Sequence, residues 1–178
     1  MMKLLDNIRT PNRKISVPKA LFHTVLITGM GVVLGGVAKL LDIYASNLGH
    51  IFSQMSVWIF ICTVISVLSN TPLRAVVNVF SFCVGMLPAY YLTAELTSRT
   101  YSMLFVYGWT VFVLLTPVFA FCTWYAKGKK LISKIIGVGI IFIMFVLAVV
   151  VFDKIRIADI IFAVFTGIFC LPNRRLNL

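Results

Sequence analysis

Six apolar stretches separated by short polar breaks fill the chain: Ala20 to Leu41, Ile51 to Leu68, Ala75 to Leu92, Tyr101 to Ala126, Leu131 to Phe152 and Ile157 to Leu171. A helix crosses the hydrocarbon with about 20 apolar residues, so the pattern predicts an all-α fold, a polytopic transmembrane helix bundle of six spans. The last stretch is the shortest. It reaches full length if its helix starts nearer Asp153, with Lys154 and Arg156 extending to the headgroups; a half-inserted last segment, giving five spans, is the alternative. The breaks at 47–50, 70–74, 95–99, 127–130 and 153–156 are short, which makes sequential helices antiparallel neighbours. This is one helical domain, 20–171, between a basic amino-terminal segment, 1–19, and a short basic tail, 172–178. The first stretch is too long for the apolar core of a cleaved signal, about 7 to 15 residues, and reads as a retained span.

Composition supports a membrane solvent. Of 178 residues 61% are hydrophobic and only 12% charged, more apolar surface than a soluble domain of this size buries. The net charge of +11 does not indicate nucleic acid, because the cations flank apolar spans and form no basic tract with interleaved aromatics. Anionic membrane lipids are their natural partners. The cations are also sorted. With the amino terminus in the cytoplasm, twelve of the 16 Lys and Arg fall inside, leaving Lys39, Arg99, Lys154 and Arg156 outside. Basic short loops resist translocation, so the expected topology is multi-pass in the plasma membrane, with both termini cytoplasmic.

The same topology sends Asp42, Glu95, Asp153 and Asp159 to the outer side, where with Lys39, His50, Arg99, Lys154 and Arg156 they would form a mixed-charge rim able to admit a polar or cationic solute. Ser56, Thr63, Ser66 and Asn70 share one stripe of the second span, and Arg74, Asn78, Ser81 and Gly85 one stripe of the third. Polar groups in hydrocarbon must pair across the bundle or line a wet cavity; both alternatives stay open. Asp42, Glu95, Asp159, Asn78 and Ser81 are the candidate ligand-binding residues. On the first span Thr24, Thr28, Gly31, Gly35, Ala38 and Asp42 share one face, and Gly31 with Gly35 forms a small-xxx-small pattern for close helix packing. Its partner is another span or another membrane protein. Trp58, Trp109 and Trp124, with Tyr90, Tyr91, Tyr101, Tyr107 and Tyr125, read as interfacial anchors. Pro88 and Pro117 are expected to kink their spans.

Catalytic and metal chemistry find no support. His23 and His50 are the only histidines, no GxSxG, HExxH or phosphate-binding loop appears, and Cys62, Cys83, Cys122 and Cys170 lie singly in different stretches at no metal-ligand spacing. The chain is therefore expected to be no enzyme, and to hold no cofactor and no metal.

The runs GGVAKLLD (Gly35 to Asp42) and NTPLRAVVNVFSFCVGMLPAYY (Asn70 to Tyr91) resemble a functionally uncharacterised family of small bacterial polytopic membrane proteins, over roughly the first half of the chain. In architecture the chain is also similar to the substrate-binding subunits of energy-coupling-factor vitamin transporters, small six-helix proteins whose first-helix small-residue face docks a coupling protein. That resemblance would map docking to Gly31 and Gly35. The combined reading is a noncatalytic integral membrane protein that binds or passes a small solute, as a transporter or transporter subunit. The alternative is a membrane accessory protein, an assembly or immunity factor, with no solute pathway and a partner on the first span.

Overall fold

The computed structural model describes residues 8–12, 16–45, 49, 51–52, 54–97 and 101–170. Among them the secondary structure is helical, without strands: α1 (Val17–Tyr44), α2 (Met55–Leu68), α3 (Pro72–Leu96), α4 (Met103–Trp124, running into a 3-10 turn at Tyr125–Lys127), α5 (Leu131–Phe152) and α6 (Ile157–Cys170). Four of these segments are long and apolar enough to cross a bilayer: Val17–Tyr44, Pro72–Leu96, Met103–Lys127 and Leu131–Phe152. The protein is an integral membrane protein. Pro88 and Pro117 lie inside α3 and α4, which continue through them.

The other two helices are short, α2 beginning later than its apolar stretch and α6 following its own from Ile157. α2 and α6 have 14 residues each, about 21 Å at 1.5 Å per residue. Gln54 breaks the second stretch: its backbone is extended (φ −81°, ψ 142°) and it serves as the N-cap of α2. The sixth helix does not start nearer Asp153. Asp153 adopts the left-handed conformation (φ 56°) that closes α5, and its N–H bonds the carbonyl of Val149; α6 begins only after Arg156.

The described residues of Met1–Arg13, Gln54–Ala75 and Ala120–Leu178 form one compact unit, and those of Lys14–Ser53 and Val76–Phe119 a second. In the first unit α2 packs on α6 and α5, and α6 on α5. α5 and α6 are antiparallel: Gly137 faces Cys170, Gly167 faces Ile141 and Thr166 bonds the sulfur of Met144. α2 and α6 run parallel. Ser56 meets Asp159 where both begin, and further along the ring of Phe60 packs against Phe162, Phe165 and Phe169.

The second unit is built on another parallel pair, α1 with α3. Thr24 contacts Asn78 near the start of each, Gly31 and Gly35 lie against the backbone of Phe82 and Met86, and Lys39 reaches Tyr90 near the far end. A methyl group at Gly31 or Gly35 would overlap the carbonyl oxygen of Phe82 or Met86, and one at Gly85 would come within 2.6 Å of the Thr28 carbonyl oxygen. Glycine on both helices therefore lets the two backbones touch, and the contact is carried by dispersion between closely spaced atoms.

Candidate cation-binding site

Each unit carries a cluster of charged and polar side chains, and the two clusters differ in how they are closed. In the first unit the centre is Asp159, 2% exposed, in the first turn of α6. One carboxylate oxygen accepts from the backbone N–H of Arg156 at 2.8 Å, which is the reach-back half of a capping box. The other accepts from the Ser56 hydroxyl. The Gln54 amide is oriented by its neighbours, its nitrogen donating to Asp159 Oδ1 (3.1 Å) and its oxygen accepting from Arg156 Nε (3.1 Å) and Nη1 (3.0 Å). One anion and one cation are thus joined by an amide, with a hydroxyl donating to the anion. The carboxylate also sits where the N-termini of two parallel helices converge, and their unpaired N–H groups favour negative charge there. Such a closed network fixes α2 against α6.

The opposite end of α2 is held by a cation. Arg9 donates from Nη1 to the carbonyl of Trp124 (2.6 Å) and from Nη2 to that of Val67 (2.8 Å), so one guanidinium fork caps the C-terminal ends of α4 and α2. Its carbon lies 4.1 Å from the centroid of the Trp124 ring, at stacking distance. Burial pulls the Arg9 pKa down to about 10, which leaves it charged at neutral pH. Trp124 donates its indole N–H to Ser69 O at 2.7 Å and packs with Ala75, Tyr125 and Ile8. Trp58, Trp124 and Tyr125 are therefore buried packing residues rather than the interfacial anchors expected of them; Tyr107, 67% exposed, has the exposure of an anchor.

The second unit's cluster is open. At the C-terminal ends of α1 and α3, Lys39 Nζ pairs with Asp42 Oδ2 at 2.9 Å and lies 5.2 Å from the centroid of the Tyr90 ring. Tyr90 contacts Tyr91 edge to face (5.3 Å between centroids), Tyr91 contacts Tyr101 (5.0 Å), and the Tyr101 hydroxyl donates to Glu95 Oε1. A row of three half-buried tyrosine rings therefore runs from the Lys39–Asp42 pair to Glu95. Lys39 is buried, Asp42 partly exposed and Glu95 exposed. Consecutive rings and carboxylates make the surface electron-rich, and the protein's own ammonium already rests on one end of it.

The chain matches no family model, and no curated protein or solved structure is detectably similar to it.

The residues expected to form one rim are thus distributed. Asp42 and Glu95 belong to the tyrosine row, whereas Asp159 is buried in the other unit's network. Asn78, 7% exposed, lies 3.2 Å from the Thr24 hydroxyl between α1 and α3, and Ser81 is half-buried nearby on the same helix. Gly31 and Gly35 are occupied by α3. On the other side of α1 an apolar groove of about 570 Å³ is lined in part by Leu26, Gly29, Met30 and Val33; it offers no polar group to a polar solute. Sequence reasoning missed Arg9, Gln54 and the row of tyrosines between Lys39 and Glu95. The usable signal for the last was the spacing of Tyr91, Glu95 and Tyr101 across one short turn.

Proposed function

We propose that this protein is a noncatalytic plasma-membrane protein that binds a small cationic solute from the outer side, as a transporter or as the binding subunit of one. The observation that carries the reading is the row Tyr90–Tyr91–Tyr101 between the Lys39–Asp42 pair and Glu95. The exposed Glu95 carboxylate at one end and the aromatic faces beside it attract a cation and repel an anion. The outer placement rests on the charge sorting along the sequence, twelve cations against four.

Six spans with both termini cytoplasmic fit the packing within each unit. If every helix reverses direction, odd-numbered helices run one way and even-numbered ones the other, so α1 with α3 and α2 with α6 must be parallel pairs. α2 and α6 cover the hydrocarbon only together with their flanking charged ends, where Gln54, Arg156 and Asp159 at one side and Arg9 at the other satisfy the backbone and each other. The alternative, an accessory protein docked through the first span, would have to use a face other than Gly31 and Gly35, which α3 already covers.

The test is solute-dependent thermal stabilisation of the purified protein across a panel of organic cations, anions and neutral solutes. Cations alone should raise the unfolding temperature, and the Asp42→Ala/Glu95→Ala protein should lose that response. A panel in which no cation stabilises the wild-type protein, or in which the double variant responds as before, removes the reading.

A further inference from the structure

We propose that the turn between α4 and α5, in the first unit, binds the phosphate of an anionic lipid headgroup. The proposal stands apart from the cation site of the second unit and does not depend on it. Between positions 127 and 134 this turn carries Lys127, which is half-buried, and Lys129, Lys130 and Lys134, which are exposed. None of them pairs with a carboxylate among the described residues, whose ion pair is Lys39–Asp42. The unit's described acids lie at the other end of the same helices: Asp153 closes α5 and Asp159 opens α6. These cations therefore gather at the N-terminus of α5, where the helix dipole disfavours positive charge. A bound anion relieves both their mutual repulsion and that mismatch.

The second observation is a buried hydroxyl without a partner. Ser133, in the first turn of α5, is 1% exposed, and its Oγ makes no hydrogen bond among the described residues. It points back over the turn: a methyl group on Gly128 would overlap the Ser133 hydroxyl and come within 2.6 Å of the Ile8 carbonyl oxygen. Lys130, the N-cap, is extended and supplies no side-chain cap, so the first N–H groups of α5 lack a side-chain acceptor as well. Leaving a buried hydroxyl unpaired costs stability. Ammonium, hydroxyl and backbone N–H groups are all donors, and a phosphate oxyanion is the acceptor they share. Position favours lipid over free phosphate. The turn joins two segments long and apolar enough to span a bilayer, Met103–Lys127 and Leu131–Phe152, and the exposed Leu131 and Ile132 stand beside the lysines. A headgroup bound there keeps its acyl chains on apolar surface while the lysines meet its charge.

The experiment measures lipid retained by the full chain in detergent micelles, by native mass spectrometry, together with the unfolding temperature, in phosphatidylglycerol, phosphatidylcholine or sodium phosphate at equal ionic strength. Phosphatidylglycerol should be retained and raise the unfolding temperature, and the Lys129→Gln/Lys130→Gln protein should bind it roughly tenfold more weakly. Lys19→Gln/Lys154→Gln, which removes the same charge from exposed positions elsewhere, should bind it as the wild type does. Ser133→Ala should leave the lipid-free unfolding temperature unchanged or higher, since no bond is lost, yet weaken phosphatidylglycerol binding several-fold. Equal losses in the two lysine double variants would reduce the effect to net charge and overturn the site. Retention of phosphatidylcholine as strong as that of phosphatidylglycerol, or an equal thermal response to sodium phosphate, would overturn the anionic lipid as its ligand.

Discussion

Asp159 and Arg9 hold the two ends of one short helix: Asp159 accepts from Ser56 in the first turn of α2, and Arg9 donates to the carbonyl of Val67 in its last. Anion at the N-terminus and cation at the C-terminus both oppose the helix dipole with the favourable sign. Each charge also serves a second helix, α6 for Asp159 and α4 for Arg9. Removing either one therefore loosens a junction between two helices rather than a single contact.

Asp159→Ala should lower stability by about 3–5 kcal/mol, since it removes the charged acceptor shared by the buried Ser56 hydroxyl, the buried Gln54 amide and the Arg156 backbone N–H. Asp159→Asn, which retains an acceptor, should cost less, about 1–3 kcal/mol. Denaturant titration followed by the fluorescence of the buried Trp58 and Trp124 measures both. An unchanged midpoint in the alanine variant would show that the network contributes nothing.

Arg9→Lys should be nearly as damaging as Arg9→Met, each by roughly 1–3 kcal/mol, because an ammonium cannot bond two carbonyls as a planar fork while stacked on an indole. The readout is limited proteolysis within 8–12 together with the unfolding temperature. Wild-type behaviour of the lysine variant would mean that charge alone suffices.

Gly35→Ala and Gly31→Ala should each destabilise by on the order of 1–3 kcal/mol, because the added methyl group meets backbone oxygen of α3 instead of a yielding side chain. Gly29→Ala, where a methyl group meets nothing within 4 Å, should be neutral or slightly stabilising through helix propensity. Equal effects at positions 29 and 35 in a thermal unfolding series would contradict the α1–α3 contact.

Much of the helical framework was legible in the sequence because it depends on local hydropathy: α5 occupies Leu131–Phe152, the bounds its apolar run predicts. The close-packing face of α1 was legible too, since Gly31 and Gly35 recur at helical spacing. The start of α2 was not, although α6 (Ile157–Cys170) keeps the start of its apolar run. Apolar residues flank Gln54 on both sides, and only its bonds to Arg156 and Asp159, far along the chain, explain an extended backbone there. Arg9 likewise reads as one more cation of a basic segment until its carbonyl partners, 58 and 115 residues away, are known. Asp159 was noticed for its charge, but the sequence pattern does not distinguish a rim carboxylate from a buried one.

The topology can be read chemically. Single cysteines replacing Lys129 and Lys154 in a background lacking Cys62, Cys83, Cys122 and Cys170 should react oppositely with a membrane-impermeant maleimide. The position-154 variant should label in intact cells and the position-129 variant only after lysis. Labelling of both from outside would reject the charge-based orientation.

The parallel pairing of α2 with α6 also orders events during synthesis. Ser56 and Asp159 are 103 residues apart, so at ordinary elongation rates α2 precedes its partner by about 5–20 s. Over that interval Gln54 and Ser56 must find substitute partners in water, headgroups or the insertion machinery, because their carboxylate has not yet been made. A chain halted before Asp159 would therefore hold α2 without the acceptor that its first turn uses in the finished unit.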